Sequence, residues 1–305
     1  MLSQKTHRQL LALDELDAAE IHGLLATAVA LKGQKLKLAE GQMLGLLFTK
    51  PSTRTRVSFE VAMAQLGGQS LYLSAEATHL SRGESLAHTA RVLGRYLDVI
   101  AMRTHAHEDV ELMAEESGIP VVNALTERFH PMQVLADLLT VQTAKGALED
   151  LPYAYVGDGN NMANTWVLAQ AGLGLDLRIA TPPGFAPDPA VLDRPVVKSH
   201  PPMLCEDPLA AVSGADVVIT DTWVSMGMEE EATVRRTLFA PYQVNAALMS
   251  HAAKGAIFLH CLPAHLGEEV TEEVLEGPQS AVWDEAENRL HVQKAWLATV
   301  LGGVS

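Results

Sequence analysis

The segment from Met43 to Arg56, MLGLLFTKPSTRTR, decides how this chain folds. Its first six residues, Met43 to Phe48, form a short apolar run that is typical of a buried parallel strand. A turn at Lys50-Pro51 follows, and Ser52 is placed to cap a helix predicted from Thr53 to Leu66. A strand that leads through a tight turn into a helix is the repeating unit of α/β proteins.

The same alternation continues along the chain. Further strands are predicted at 70–73, 99–102, 120–123, 152–156, 177–180, 217–220 and 257–260, and the main further helices at 16–31, 132–144, 162–173 and 287–301. A length of 305 residues suits two domains, each a parallel sheet flanked by helices. We expect domains at 1–145 and 146–286, with the C-terminal segment 287–305 packing back on the first.

Composition and charge exclude several classes of protein. The net charge is −15, with 22 Lys plus Arg against 37 Asp plus Glu, so neither nucleic acid nor an anionic membrane is an expected partner. Two cysteines cannot form a disulfide framework. The N-terminus lacks the pattern of a secretory leader, and no apolar run is long enough to cross a bilayer, which favours a cytoplasmic protein. An acidic protein that binds phosphate must gather its few cations in one place.

The start of the helix after Met43–Phe48 is a candidate anion site. Free backbone N–H groups and the positive end of the helix dipole favour a negative ligand there. Ser52, Thr53 and Thr55 add hydroxyl donors, and Arg54 adds a bidentate partner for phosphate. The alternative is an ordinary capped helix in which Arg56 pairs with Glu60, a role that Arg56 is expected to have in either case.

Two more strand ends in the first half carry polar residues. Arg103 follows the strand 99–102, where ligands of parallel sheets bind. His130 and Gln133, in HPMQ, open a helix, and a histidine there can polarise a carbonyl oxygen; a capping histidine with a solvated glutamine is the alternative. His105 and His107 are interpreted as a solvated loop, because no further metal ligands stand at suitable spacing.

In the second half of the chain, polar residues likewise follow three of the predicted strands. GDGNN, residues 157–161, lacks the third glycine of a dinucleotide-binding turn, since Met162 stands in its place, and its amides suit a zwitterionic ligand or a simple helix cap. Asp221 ends one strand and is placed to hold an ammonium group or to cap a turn. Cys261 ends another, where a buried apolar role is the alternative to a functional thiol.

Five motifs together resemble one family over nearly the whole chain. STRTR, HPxQ, GDGNN, DxWxSMG and HCLPA occur in the order and at the spacing of the aspartate/ornithine carbamoyltransferases, specifically the ornithine enzymes. The resemblance implies a carbamoyl-phosphate-binding domain at 1–145, an ornithine-binding domain at 146–286 and an active site between them. It also implies a homotrimer, carbamoyl phosphate and L-ornithine as substrates, and neither cofactor nor metal.

The resemblance further implies a role for each matching residue. The phosphate would be held by Ser52, Thr53, Arg54 and Thr55, and the carbamoyl group by Arg103, His130 and Gln133. Ornithine would be bound by Asn161, Asp221, Ser225 and Met226, with Cys261 and the Leu262 backbone near its δ-amine. Arg289, expected at the start of the final helix, would reach back to carbamoyl phosphate. The implied catalytic residues are Arg54, Arg103, His130, Asp221 and Cys261.

The chain departs from the family at one position. Members commonly read QLxRGE, and their glutamine reaches carbamoyl phosphate across a subunit interface, whereas this chain reads HLSRGE from His79 to Glu84. A histidine can still donate to phosphate, although its charge varies near neutral pH. An inter-subunit role for His79 is therefore a hypothesis.

Other functions remain open at this stage. Aspartate, N-acetylornithine and putrescine are rival acceptors, although the 221–227 loop lacks the extra cations that the second carboxylate of aspartate needs. A nucleotide-dependent oxidoreductase conflicts with the missing glycine at Met162. A non-catalytic relative conflicts with the intact set of Arg54, His130, Asp221 and Cys261.

Overall fold

The computed structural model describes residues 8–74, 78, 80, 83–224 and 229–302. Within them the chain forms two compact units, and each contains one parallel sheet flanked by helices. The first unit runs to Leu135 and takes up the chain again at Arg289; the second is Ala136–Asn288. None of the helices in these ranges has the length and apolar character that a membrane span requires.

The first unit is built on a four-stranded parallel sheet in the order β2-β1-β3-β4. Its strands are β1 (Met43–Phe48), β2 (Gln69–Ser74), β3 (Val99–Arg103) and β4 (Val121–Leu125). Its helices are α1 (Ala18–Leu31), α2 (Thr53–Gln65), α3 (Leu86–Leu93), α4 (His107–Ser117), the start of α5 (Pro131–Lys145) and the later part of α13 (Val282–Gly302).

The second unit is built on a five-stranded parallel sheet in the order β7-β6-β5-β8-β9. Its strands are β5 (Pro152–Val156), β6 (Asp176–Ala180), β7 (Met203–Cys205), β8 (Val217–Thr220) and β9 (Ile257–His260). Its helices include α6 (Asn161–Leu173), α7 (Pro189–Leu192), α8 (Pro195–Ser199), α9 (Pro208–Val212), α10 (Ala232–Phe239), α11 (Ala246–Met249) and α12 (Glu272–Leu275).

Local sequence explains where the elements begin and end. Asp17 and Glu20 form a reciprocal capping box at the start of α1, which satisfies two backbone donors that a helix leaves open. Glycines with positive φ, Gly118 and Gly174, terminate α4 and α6 in the left-handed region that only glycine enters without strain. The central strands β1, β3 and β5 are almost wholly buried, as their apolar runs predict.

The register brings the carboxyl ends of the strands together. In the first sheet Phe48 lies beside Ser74 on one side and Arg103 on the other. In the second sheet Thr220 lies beside His260. Polar residues that follow these positions therefore gather at one edge of each sheet, where α/β proteins bind their ligands.

The predicted fold class is confirmed, and several boundaries need correction. The sequence did not predict β7, and the last helix begins at Val282, five residues before the predicted Glu287. His107 is not a solvated loop residue, because it opens α4 and is 3% exposed. The compact units divide inside α5 and inside α13; the domain limits 1–145 with 287–305, and 146–286, stay predictions.

Candidate active site

The start of α2 has the geometry that anion binding requires. Ser52 is the N-cap residue, yet its side chain makes no capping hydrogen bond. Thr53 and Arg54 are exposed in the first turn, whereas Thr55 points inward and is buried. The first N–H groups of a helix have no intrahelical acceptor, so this turn presents backbone donors, hydroxyls and one exposed cation together.

Arg56 has the structural role expected of it. Its Nε donates to Glu60 at 2.9 Å, one turn further along α2. Its guanidinium also lies over the ring of Tyr72, 3.9 Å from the ring centroid. Arg56 and Arg54 are therefore two arginines of one motif with different surroundings, and only Arg54 of the two is exposed at the start of α2.

The end of β3 adjoins this turn. Arg103 pairs with Phe48 in the sheet, and its carbonyl oxygen accepts hydrogen bonds from the backbone N–H of Thr49 at 2.9 Å and from its hydroxyl at 3.3 Å. The Arg103 side chain is 9% exposed, which is a low value for a cation and is expected where it has a specific charged or polar role.

His130 immediately precedes α5, Gln133 lies in the first turn of that helix, and both are buried. The carbonyl oxygen of His130 accepts the N–H of Gln133 at 3.1 Å, which places the two side chains on the first turn. Removal from water, and then the charges of Arg289 and Arg103, hold the pKa of His130 well below its usual 6.5. The imidazole is therefore neutral at physiological pH and lies close enough to both arginines to be influenced by them.

Arg289 reaches the same place from the far end of the chain. It lies inside α13, more than a turn past the start of the helix, which corrects the expectation that it would begin that helix. It is 3% exposed, and its Nη2 donates to the hydroxyl of Thr55 at 2.5 Å. Arg103 and Arg289 thus join Arg54 around the start of α2, in keeping with the charge argument.

A second set of polar groups lies at the edge of the other sheet. Asp221, just after β8, is 6% exposed and accepts a hydrogen bond from the thiol of Cys261, just after β9, at 3.1 Å. Its other carboxylate oxygen accepts from the side-chain amide of Asn160 at 2.7 Å. Three strand ends therefore converge on one carboxylate.

The Cys261 thiol is protonated in this environment. Burial, and then the Asp221 carboxylate, raise the pKa of Cys261 well above its ordinary value of 9.0. Burial and the same carboxylate raise the pKa of Tyr155. The hydroxyl of Tyr155 donates to Asn160, whose side-chain oxygen also caps α6 by accepting the N–H of Met162 at 2.9 Å. Asn160 is therefore fixed from two sides while it orients Asp221.

Leu262 follows Cys261 in a conformation that side chains rarely adopt. Its φ is 57°, and its bond to Pro263 is cis. Its N–H donates to Nδ1 of His260 at 2.9 Å, so Nδ1 is the acceptor and the proton is on Nε2. That Nε2 lies 3.0 Å from the buried Glu269 carboxylate, which stabilises this tautomer.

The glycines of GDGNN have a packing role. Gly157 has a φ of +135°, and a side chain at Gly159 would place its Cβ 2.3 Å from the backbone of Ala186. Gly159 also donates its N–H to the carbonyl of Phe185 at 2.9 Å. The turn is thus closed against the segment that follows β6, which accounts for its glycines without a dinucleotide.

Comparison with known proteins identifies the family. The chain matches the carbamoyl-phosphate-binding domain of aspartate/ornithine carbamoyltransferases over residues 8–143 and their Asp/Orn-binding domain over residues 149–300. The chain belongs to the aspartate/ornithine carbamoyltransferase family.

Individual relatives are similar over almost their full length. An ornithine carbamoyltransferase from Nostoc punctiforme is 53% identical over 298 residues, 97% of each chain. The solved ornithine carbamoyltransferase from Pyrococcus furiosus is 49% identical, with a TM-score of 0.92 and 98% of both chains covered. An anabolic ornithine carbamoyltransferase from Campylobacter jejuni is 40% identical, with a TM-score of 0.91. The match covers 96% of this chain and 98% of the Campylobacter chain.

The predicted residues fall into three groups. Those at the edge of the first sheet are Ser52, Thr53, Arg54, Thr55, Arg103, His130, Gln133 and Arg289. Those at the edge of the second are Asn161, Asp221, Cys261 and Leu262, with Asn161 at the first position of α6. His79, Ser225 and Met226 lie outside the described residues.

Some supporting residues were not predicted from the sequence. Asn160 orients Asp221, and His260 with Glu269 holds the Leu262 backbone. Asn160 stands next to the predicted Asn161. The sequence could distinguish the two only if the first residue of the helix were already known. No sequence pattern pointed to Glu269, because its contact with His260 depends on the path of the loop between the two residues.

Asp221, His260 and Cys261 place potential metal ligands within 4.8 Å of one another. Both Asp221 oxygens already accept hydrogen bonds, from Asn160 and Cys261. Both ring nitrogens of His260 are also engaged, with Leu262 and Glu269. Metal binding would have to replace these bonds, so the donor set fits a hydrogen-bonded network better than a cation site.

Proposed function

We propose that this chain transfers the carbamoyl group of carbamoyl phosphate to the δ-amine of L-ornithine, giving L-citrulline and phosphate. The gathering of Arg103, Arg289 and the first turn of α2 around a neutral His130 is the observation that carries the proposal. Near full-length similarity to ornithine carbamoyltransferases supports the choice of substrates, and the anabolic relative supports a place in arginine biosynthesis.

Carbamoyl phosphate binds through its phosphate to the start of α2. Ser52, Thr53, Arg54 and Thr55 contact the phosphate oxygens, with Arg54 as the bidentate partner. Arg289 shares this anion and orients Thr55. The carbonyl oxygen faces Arg103, Gln133 and His130. A neutral imidazole donates its single N–H to that oxygen, a role in which a lowered pKa is an advantage.

Ornithine binds at the second set of residues. Asn161, Ser225 and Met226 hold its amino-acid end, while Asp221 and Cys261 lie at its δ-amine. The Asp221 carboxylate and the sulfur of the protonated thiol offer acceptors to the N–H groups of that amine, which leaves its lone pair free to attack. The Leu262 backbone completes this end of the site and also contacts carbamoyl phosphate.

The reaction then needs no group beyond these. The neutral δ-amine attacks the carbamoyl carbon, a C–N bond forms, and negative charge grows on the carbonyl oxygen. The cations and the His130 N–H stabilise that charge, which is usually the largest contribution in acyl transfer. The C–O bond to phosphate breaks, and the departing phosphate accepts the proton of the amine.

We further propose that the protein works in the cytoplasm as a homotrimer. Exposed apolar side chains on α2 and β2, namely Val57, Val61 and Leu71, supply surface for a subunit contact. In such a trimer His79 would reach the carbamoyl phosphate of a neighbouring subunit, in place of the glutamine common in the family.

Product analysis tests the function. Carbamoyl phosphate labelled with ¹³C at the carbonyl is supplied with L-ornithine, and in parallel with N-acetylornithine, putrescine and aspartate. We expect labelled citrulline and an equal amount of phosphate with ornithine alone. Turnover with another acceptor would overturn the ornithine assignment and keep the phosphate site; no turnover with any of them would indicate a non-catalytic relative.

A further inference from the structure

Arg235 is a buried arginine outside the residues assigned so far. It lies on α10 and is 5% exposed. Its Nε donates to the carbonyl oxygen of Trp223 at 2.5 Å, and its Nη2 donates to the carboxylate of Asp158. The guanidinium also lies over the rings of Phe185 and Phe239, 4.9 and 5.0 Å from their centroids.

The two hydrogen-bond partners of Arg235 flank the carboxylate assigned to ornithine. Trp223 stands two residues after Asp221, and Asp158 stands two residues before Asn160. Asn160 is the residue whose amide donates to Asp221 at 2.7 Å. Arg235 therefore links the segment that carries Asn160 to the segment that carries Asp221. The distance between these two segments decides whether the Asn160–Asp221 hydrogen bond can form.

The surroundings make this tie specific to arginine. Asp158 is 7% exposed, and burial raises its pKa to about 6 even though the charge of Arg235 acts in the opposite direction. Asp158 is therefore mostly ionised near neutral pH and needs the buried cation. A guanidinium donates in two directions from one rigid plane and stacks flat on aromatic rings, whereas the ammonium group of lysine is a compact point charge without that plane.

We propose that Arg235 is a positioning residue for ornithine, because it holds Asp158 and the Trp223 backbone in the arrangement that orients Asp221. Arg235 does not touch the substrate. The inference rests on the function proposed above and on the ornithine-binding role of Asp221. It implies that loss of Arg235 weakens ornithine binding and leaves carbamoyl phosphate binding intact, because the phosphate site belongs to the first sheet.

The test compares Arg235→Lys with Arg236→Gln. Arg236 is the neighbouring residue and makes an exposed ion pair with Glu268 at 2.8 Å, so its variant controls for the loss of one charge on α10. In citrulline assays we expect Arg235→Lys to raise the KM for ornithine at least tenfold while the KM for carbamoyl phosphate stays within twofold. Arg236→Gln should match the unaltered protein in both. Equal rises in both KM values, or an unchanged ornithine KM in folded Arg235→Lys, would overturn the proposal.

A second measurement does not depend on turnover. In a Cys205→Ser background, the rate at which iodoacetamide alkylates Cys261 reports whether Asp221 still accepts the thiol proton. Release of Asp221 in Arg235→Lys should speed alkylation several-fold, and Asp158→Asn should do the same if the lysine variant does not fold. An unchanged alkylation rate would overturn the positioning role, whereas absence of citrulline in the unaltered protein would overturn only the proposed function.

Discussion

At the scale of single residues, the hydrogen bond from Cys261 to Asp221 sets the reactivity of a thiol. The raised pKa of Cys261 keeps its nucleophilic thiolate scarce, and the Asp221 charge is one of its causes. We therefore predict that Asp221→Asn speeds alkylation of Cys261 by iodoacetamide, about tenfold for each unit by which the pKa falls. The measurement is made in Cys205→Ser protein. A slower reaction in Asp221→Asn would show that the carboxylate does not raise this pKa.

His130 gives a second residue-scale prediction, on pH. Its pKa is lowered in the folded protein, so just below pH 6.5 the unfolded chain binds a proton there and the folded chain does not. Stability therefore rises with pH through this window and is lost on acidification. The free energy of unfolding of the unaltered protein minus that of His130→Gln should be larger at pH 7 than at pH 5.5. A difference that grows on acidification would mean that folding favours the charged imidazole.

The sequence predicts well which polar residues lie at the carboxyl ends of the strands. Ser52, Arg103, His130, Asp221 and Cys261 each end a strand or follow one within a few residues, and parallel pairing brings the strand ends of each sheet to one edge. Residues that act from elsewhere escape this reasoning. Arg235, for example, reaches Asp158 from a helix that nothing in the local pattern relates to GDGNN.

At the scale of elements, the packing of α3 on α4 depends on one glycine. A Cβ at Gly94, which ends α3, would lie 1.8 Å from the carbonyl oxygen of Ser117 at the end of α4. A backbone atom cannot move aside as a side chain can, so we predict that Gly94→Ala lowers the free energy of unfolding by about 1–3 kcal/mol.

Gly23 is the matched control for Gly94. It lies inside α1, where an added Cβ meets nothing within 4 Å. Because glycine is unfavourable in a helix, Gly23→Ala should raise stability by about 0.5–1 kcal/mol. Urea unfolding curves of the two variants give both values. Equal stability of Gly94→Ala and Gly23→Ala would contradict the packing described for α3 and α4.

The first and last residues of a helix or strand were predicted best where its sequence is a continuous apolar run. The buried strands β1, β5, β8 and β9 have the predicted limits. The strand β7 has only three residues, two of them exposed, so it shows neither an apolar run nor alternation. The start of α13 was missed because Asp284 and Glu285 interrupt its apolar pattern, although Glu285 is buried and accepts the N–H of His260.

At the scale of the whole molecule, the proposed trimer makes a direct prediction. Light scattering should give a mass about three times the 32.8 kDa of one chain, or a multiple of that value. The exposed Val57, Val61 and Leu71 would then be covered by neighbouring subunits. A mass of one chain at assay concentrations would exclude the trimer and, with it, any role for His79 across an interface.

The net charge also makes a prediction about the whole molecule, although it does not say which residues fulfil that prediction. A chain with a net charge of −15 must concentrate cations to bind a phosphate compound. The structure does this with Arg103 from a strand and Arg289 from the last helix, both acting on His130. Charge alone could not say which arginines would meet, because that depends on the return of α13 to the first sheet.

In the proposed function the start of α2 binds the phosphate through Arg54. Arg54 and Arg56 stand two residues apart in one motif, but Arg54 is exposed whereas Arg56 is engaged with Glu60 and Tyr72. The decisive measurement is kcat/KM for carbamoyl phosphate in citrulline formation by Arg54→Gln and Arg56→Gln. We predict a loss of about a hundredfold or more in Arg54→Gln and a change of less than severalfold in Arg56→Gln. Equal losses in the two variants, or full activity in Arg54→Gln, would contradict it.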